Sequence, residues 1–551
     1  MQHESRFLTK NLCLLQARNV AVSESIQQAS ADPTISIVLA RSGHSVPCQL
    51  VEGRRVLYHS TYDPVAEGQR QAEAYKPRGF LLFLGLGAGY HIRPFLESEA
   101  VSQILIVEKD AGVLRSIFEQ IDLSPLLADP RSVLLVDQPP AQVNHYLLEH
   151  YLPVIDGDLQ TVFLRPRLDI ENDYFRQVLE SVKQTIPAVS NDYAVQTRFG
   201  KRWFANTLLN LPAAQRSCMA LNPTQEALVV GAGPSLEMQI DTLKKMRKSA
   251  LLITSDTSLA ALLAHNVVPD IVVSIDCQHI TYHHFLQGLP QQVSLVLDLA
   301  SPPALTRLSD RTFFFASRHP FASFVAKNWR ELPLIDTSGG NVAHAALSLA
   351  KCLGAGRIHL FGLDFSYPDG KAYARGTYIY HFFRSTEDRL TPLESSLFSF
   401  IQDRCVHKAD PRHPVYTSAL LLAYRDRMEH AAAHMPARVI QVRGRGLSLR
   451  SLPGPSTPPE PTARPFAAGP CKSDWRVFLA DYSAAVRQLP RPQEPVRKYL
   501  RVISGSQRDL WLTLLPAAAA LKRSATGLSP ADLLQEVRAW SLLKIDRALD
   551  S

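Results

Sequence analysis

The residues best suited to chemistry cluster in the middle of the chain. In ALVVGAGPSL, residues 227–236, an apolar run ends at Gly231 and a helix-forming run begins near Pro234. Glycines let a backbone turn sharply and come close to a ligand, and the free N–H groups of a helix start favour phosphate or carboxylate. Pro234 loses no hydrogen bond at a first-turn position. Gly231, Gly233, Pro234 and Ser235 therefore read as an anion-binding turn, with a ligand-free tight turn as the competing reading. The next apolar run, LLITS, leads into Asp256 and Thr257, 25 positions after Gly231. Doubly wound folds place the acid that contacts a ribose at about that distance. The run after it, DIVVSIDCQ, ends in Asp276 and Gln278.

A second loop of the same kind follows. Ser338, Gly339, Gly340 and Asn341 precede an amphipathic helix, which makes a second anion-friendly helix start. Beyond it Asp364 ends the run IHLFGLD, and Tyr367, Asp369, Tyr373, Arg375 and Tyr378 crowd the loop after it. One loop can hold a phosphate and the other a sugar carboxylate. Polar groups delivered at the carboxyl ends of successive strands are where open α/β sheets bind ligands.

These positions require an α/β, multidomain protein with a central Rossmann-like, mostly parallel sheet covered on both faces. The expected domains are an N-terminal α/β domain over 1–160, a helical connector over 161–222 and the central ligand-binding domain over 223–450. A Pro-rich linker over 451–471 and a C-terminal helical domain over 472–551 follow. Residues 36–62 predict a small antiparallel sheet, and Gly79 opens a βαβ unit. Its Gly85, Gly87 and Gly89, with Glu108 23 positions after Gly85, have the spacing of a dinucleotide or methyltransferase turn. No second catalytic motif accompanies it, which favours a structural role. Near the end, Ser529 and Pro530 predict a helix cap and its first residue.

Composition excludes several classes. With 59 Lys and Arg against 51 Asp and Glu, the net charge is +8, spread over 551 residues, so no nucleic-acid partner is expected. Seven widely spaced cysteines without a C-x-x-C pair indicate neither a disulfide framework nor a zinc site. No apolar run approaches the roughly 18 residues of a membrane span, and the first residues, MQHESRFLTK, are polar. A cytoplasmic protein without membrane insertion is expected.

GAGPSL, SDTSLAALLAHNVVPDIVVSIDCQ, SGGNVAHAALSLA and GLDFSYPDGKAYA, together with HSTYDPVAEGQRQAEA at 59–74, resemble the motility accessory factor (Maf) flagellin glycosyltransferases. The central domain of that family is MptE-like and related to bacterial sialyltransferases. The resemblance implies transfer of a nonulosonic, sialic-acid-like sugar from its CMP-activated form to Ser or Thr of flagellin, which would make flagellin and a nucleotide-sugar donor the partners. It assigns the nucleotide to Gly231, Gly233, Pro234, Ser235, Ser338 and Gly339, and the phosphate to Tyr373 and Tyr378. Many members have histidine where this chain has Tyr373. The N-terminal glycine unit looks like the non-catalytic domain of the same family. Two alternatives stand beside this reading: an MptE-like, ATP-dependent 6-hydroxymethylpterin pyrophosphokinase, and a non-catalytic flagellin-binding factor.

Departure of CMP leaves charge on a phosphate oxygen, and fixed hydroxyl or N–H donors there lower the barrier. No metal or other cofactor is required if those donors suffice. A divalent cation held by Asp256, Asp276 and Asp364 is the alternative, against helix caps and bonds to substrate hydroxyls. A base must take the proton of the accepting hydroxyl, a task suited to histidine. His344, His381 and His407 are the candidates, with Asp364 beside them. His344 also reads as a core histidine on an apolar helix face, and His381 as part of a packed aromatic segment.

Overall fold

Short runs of Val, Ile, Leu and Phe, each bounded by turn residues, form two parallel sheets in a computed structural model that describes residues 5–550 except 219, 403–405, 409–414, 451–465 and 526. Most of the linker expected at 451–471 lies outside the described residues. The chain packs as two units.

The first unit comprises residues 1–198, 490–508 and 518–537. Ile35–Leu39, Ser45–Val51 and Arg54–Leu57 form an antiparallel three-stranded sheet, as the turn-punctuated sequence predicts. A four-stranded parallel sheet follows in the order Ser132–Val136, Val101–Glu108, Gly79–Leu84, Leu159–Phe163. Every residue of Gly79–Leu84 is buried. Leu81 and Phe83 join one core, Phe80, Leu82 and Leu84 the other, because successive side chains of a strand point to opposite faces. A sheet covered on both faces needs apolar residues at every position, which explains the continuous FLLFL.

The second unit comprises residues 199–489, 509–517 and 538–551. Its sheet has seven strands, all parallel, in the order Thr312–Phe315, Ser294–Asp298, Ile271–Ser274, Leu251–Ser255, Glu226–Val230, Arg357–Phe361, Arg438–Gln441. The first strand in sequence, Glu226–Val230, sits inside the sheet. The next four extend from it on one side and the last two on the other, so direction switches between Glu226–Val230 and Arg357–Phe361. Helices cover one face with Val342–Cys352 and the other with Leu236–Met246 and Asp256–Ala264.

The helical layer expected at 161–222 is dominated by one 45-residue helix, Asn172–Arg216. The helices after residue 472 differ from expectation in their packing. They do not assemble into a domain of their own, because their segments divide between the two units. Pro530 does open the last helix, and the Asp532 N–H donates to Ser529 Oγ at 3.1 Å.

Candidate functional site

Register fixes which loops meet. Val230 pairs with Thr254 and with Phe361, and Ser255 pairs with Val273. The residues that follow these strand ends, Gly231, Asp256, Ser274 and Gly362, therefore emerge along one carboxyl edge. The direction switch lies between the first and sixth of the strands, where a crevice is expected.

The glycine turn at 231–235 is closed by protein. Gly231 N–H donates to Phe361 O at 2.9 Å and Gly233 N–H to Gly362 O at 2.8 Å. Ser235 N–H donates to Asp364 Oδ2 at 2.8 Å, and Ser235 Oγ accepts from the N–H of Arg445 at 2.7 Å. The N–H groups of Leu236, Glu237 and Met238 bond to carbonyls of the turn itself. A Cβ on Gly231 would lie 2.5 Å from Leu363, and one on Gly233 2.4 Å from Asp364 Oδ2. These glycines permit the close approach of 362–364, and the Asp364 carboxylate takes the anion position at the helix start. Burial raises the Asp364 pKa above the ordinary carboxylate value, against the bonds from Ser235 and Gly446. Asp364 thus ties the turn, the sixth-strand loop and the loop 444–446 together.

The second loop also turns inward. Asn341 caps its helix, with the His344 N–H donating to Oδ1 at 2.9 Å. Gly340 has φ +73, and a Cβ on Gly339 would lie 2.2 Å from the His344 ring. His344 is buried, with Nε2 at 3.3 Å from Asp336 Oδ2 and Nδ1, beneath Gly339, without a hydrogen-bond partner among the described residues. Although burial opposes it, bonds from Ser338 and His344 hold Asp336 below its usual pKa. The N–H of Ser338 donates to Asp336 Oδ1. Helix Val342–Cys352 leads into a strand parallel to the rest, so its start and the 231–235 turn share the carboxyl edge. Neither Gly231 nor Gly339 lines this unit's cavities of about 540 and 500 Å³.

The acids stand along the same carboxyl edge. Asp256 is buried, its Oδ2 accepting from Ser274 Oγ at 2.7 Å and its Oδ1 from the N–H of Thr257 at 2.6 Å. Asp276 is half-buried and accepts from the N–H of Gln278 at 2.9 Å. Burial raises its pKa and the neighbouring Asp256 raises it further. Tyr378 starts the helix Tyr378–Ser385, and its pKa is raised by burial and then by Asp276. Its ring meets His284 edge-on at 4.8 Å. Tyr373 packs in the small aromatic cluster around Tyr380 and Leu397. His381 is exposed, 2.9 Å from Gln287 Nε2, on the rim of a cavity of about 540 Å³ walled by Lys371, Arg375, Tyr380 and Leu397. The side chain of His407 lies outside the described residues.

Among the described residues no three His, Cys, Asp or Glu side chains gather as a metal centre would need. Asp364 accepts from the Ser235 N–H, and Asp256, Asp276 and Asp364 do not gather as such a group.

Several residues escaped the sequence reading. His284 is half-buried, its buried Nδ1 without a hydrogen-bond partner among the described residues, and its proximity offsets part of the rise at Asp276. HITYHHF, directly after DIVVSIDCQ, carried that signal. Asp298 ends Ser294–Asp298 as the other acids end their strands, and burial raises its pKa. Asn206 donates to Cys277 O and Ala300 O at 3.1 and 2.9 Å, and Asn210 to Leu299 O and Ser301 O at 2.9 and 2.8 Å. The long helix thereby fixes two loops of the edge.

In the N-terminal unit the glycine turn is filled. Glu108 and Arg167, both fully buried, pair at 2.7 Å, and Glu108 Oε2 accepts from the Leu86 N–H. A Cβ on Gly87 would lie 2.7 Å from His59 Nε2, which accepts from the Ala88 N–H at 3.0 Å. The acid that would meet a ribose meets a guanidinium.

Comparison with known proteins bears on both units. Residues 205–370 match the family described as 6-hydroxymethylpterin diphosphokinase MptE-like, and residues 10–132 that of the glycosyltransferase Maf N-terminal domain. An uncharacterized protein of Treponema pallidum (strain Nichols) is 30% identical over 168 residues, 30% of this chain and 80% of that protein. A second from the same organism is 39% identical over 116 residues, 20% of this chain and 41% of the relative, less than half its length. A 6-hydroxymethyl-7,8-dihydropterin pyrophosphokinase of Methanothermobacter thermautotrophicus is 28% identical over 149 residues, 26% of this chain and 59% of that one. The solved structure of the Maf glycosyltransferase from Magnetospirillum magneticum AMB-1 shares the fold, with a TM-score of 0.60 over 99% of this chain and 95% of that chain at 16% identity.

Fold and matches together define the class, a glycosyltransferase built on a doubly wound parallel sheet. Within it, the chain belongs to the Maf glycosyltransferase family and carries that family's N-terminal domain before an MptE-like centre.

Proposed function

We propose that the protein transfers a nonulosonic acid from a CMP-activated donor to Ser or Thr of flagellin in the cytoplasm. The observation that carries this reading is the row of Asp256, Asp276, Gln278, His284 and Tyr378 at the carboxyl edge of the sheet, close to its direction switch. Asp256 and Thr257 suit the hydroxyls of a ribose. Tyr378 and the edge of the 338–341 loop supply hydroxyl donors toward the departing phosphate, where they oppose charge as it develops. His284 is the side chain best set to accept the proton of the acceptor hydroxyl. Among the described residues its buried Nδ1 has no hydrogen-bond partner, and Asp276 nearby steadies the imidazolium that forms. His381 stands farther out, on an exposed rim. No helix among the described residues is long and apolar enough to cross a membrane.

Thermal unfolding with CMP, and separately with ATP and a hydroxymethylpterin, tests the reading. A ligand that binds only the folded chain raises its melting temperature. Stabilisation by CMP alone is expected. A response to ATP with the pterin supports the pyrophosphokinase alternative, and no response to any nucleotide supports a non-catalytic flagellin-binding factor. Asp256→Ala or Ser338→Ala, reintroduced into cells lacking the protein, is expected to return flagellin to its unmodified mass.

A further inference from the structure

Among the described residues, three cations without an ion pair surround one cavity of the second unit. The long helix presents Lys201, Ala205 and Leu209 along one side at i, i+4 spacing, and the last helix presents Trp540 and Lys544 in the same way. Between them opens a cavity of about 500 Å³, completed by His279 and Pro303 from the loops that follow Ile271–Ser274 and Ser294–Asp298. Its wall holds Lys201, Arg202, His279 and Lys544, and no carboxylate. Lys201 Nζ lies 5.3 Å from the centre of the Trp540 ring. Among the described residues none of Lys201, Arg202 and Lys544 forms an ion pair, although other exposed cations of this unit do, including Arg487 with Asp546 and Arg445 with Asp369.

Like charges gathered without a counterion repel one another, and a concave wall of one sign concentrates ligands of the other. The apolar faces of Trp540, Leu209 and Pro303 suit a ring. We infer that this cavity is a second anion site, distinct from the row of Asp256 and Asp276 at the carboxyl edge, for a small ligand that joins a carboxylate or phosphate to a ring. None of Asp256, Asp276, Gln278, His284 and Tyr378 lines it. An acidic sugar and a nucleotide both have that chemistry, and the inference does not depend on which donor that row takes.

Calorimetric titration of the full chain at low salt tests it, with CMP and N-acetylneuraminate as separate probes and uncharged N-acetylmannosamine as control. At least one anionic probe is expected to bind, and Lys201→Glu and Lys544→Glu are each expected to weaken that binding about tenfold or more, a loss of about 1.4 kcal/mol. Raising the salt weakens it as well, since Arg202 is exposed and Lys201 and Lys544 are only half-buried. CMP bound at the row of Asp256 and Asp276 is a separate component, weakened by Asp276→Asn and spared by the lysine reversals. Loss of CMP binding in the reversals identifies a nucleotide phosphate, loss of N-acetylneuraminate binding a sugar carboxylate. Lys544→Gln, which removes charge without reversing it, guards against misfolding and is expected to weaken binding in the same direction. The inference is overturned if neither anion binds, if the uncharged sugar binds equally well, or if all binding follows Asp276→Asn and ignores both lysine reversals.

Discussion

A methyl group on Gly233 would sit 2.4 Å from Asp364 Oδ2 and 2.6 Å from Gly362 O, and neither is the free end of a flexible side chain. Gly233→Ala must therefore separate the two central loops, at about 3 kcal/mol by comparison with other overpacked sites. Urea unfolding reads this directly, and a change below about 0.5 kcal/mol would show that the loops are looser than their bonds indicate. Asp364 is better placed as the brace of that turn than as a proton carrier, since its Oδ2 is held by Ser235. A second residue-scale prediction concerns pH. His91 is fully buried, with Nε2 at 3.2 Å from Gly85 O, and burial lowers its pKa to about 4. His59, against it, is driven well below the ordinary value by burial and then by His91. Both stay neutral in the folded chain while the unfolded chain takes up protons below about 6.5. Stability is thus undiminished above that pH and falls as pH drops from 6.5 toward 4, by on the order of 3 kcal/mol from His91 alone. Melting temperature against pH measures the slope, and His91→Gln is expected to flatten it.

At the scale of elements, the long helix is a clamp on the carboxyl edge of the second sheet. Asn206 and Asn210, one turn apart, each donate to two loop carbonyls, and both are buried. Asn210→Ala strands the carbonyls of Leu299 and Ser301 away from water, which costs about 2–4 kcal/mol. Because those carbonyls belong to the loop after Ser294–Asp298, sugar transfer is expected to fall with stability, as a melting curve and a product assay on the same sample would show. An Asn210→Ala chain with unaltered melting would mean that water replaces the amide. The strands themselves were legible: unbroken apolar runs ending in Gly231, Asp256 and Asp276 gave the parallel sheet and its polar edge. Asp298 obeys the same rule and was readable in SLVLDLA. The asparagines were not, because helical periodicity tells which face is buried and says nothing of which carbonyls wait there. The glycines were found, yet their partners were other loops of this chain. Spacing requires a close approach at Gly231 without naming what approaches.

Across the whole molecule, the sequence showed where composition changes, and a Pro-rich stretch before 472 looks like the border of a domain. Contacts between distant residues decide borders, and these are invisible in local pattern. Arg497 pairs with the buried Asp156, its Nε at 2.7 Å from Oδ1, and Lys522 donates to Val154 O, so two late segments complete the first unit. In the second, Tyr482 and Thr513 bond at 2.6 Å inside the core, and Trp540 lies 5.7 Å from Phe204. A Cβ on Gly200 would fall 1.8 Å from Pro516 O, so these two helices touch backbone to backbone. If 472–551 were a free-standing helical domain, a chain ending at 471 would keep both sheets folded and bind ligand normally. The division of those helices between the two units predicts the opposite. Removing them leaves Asp156 buried without Arg497 and opens the core around Phe204, and an unpaired buried charge alone costs about 3–5 kcal/mol. The truncated chain is expected to lose cooperative unfolding in both units. Protease digestion should then cut within 79–163 as readily as within 226–441, whereas two resistant fragments would restore the C-terminal segment as a separate domain.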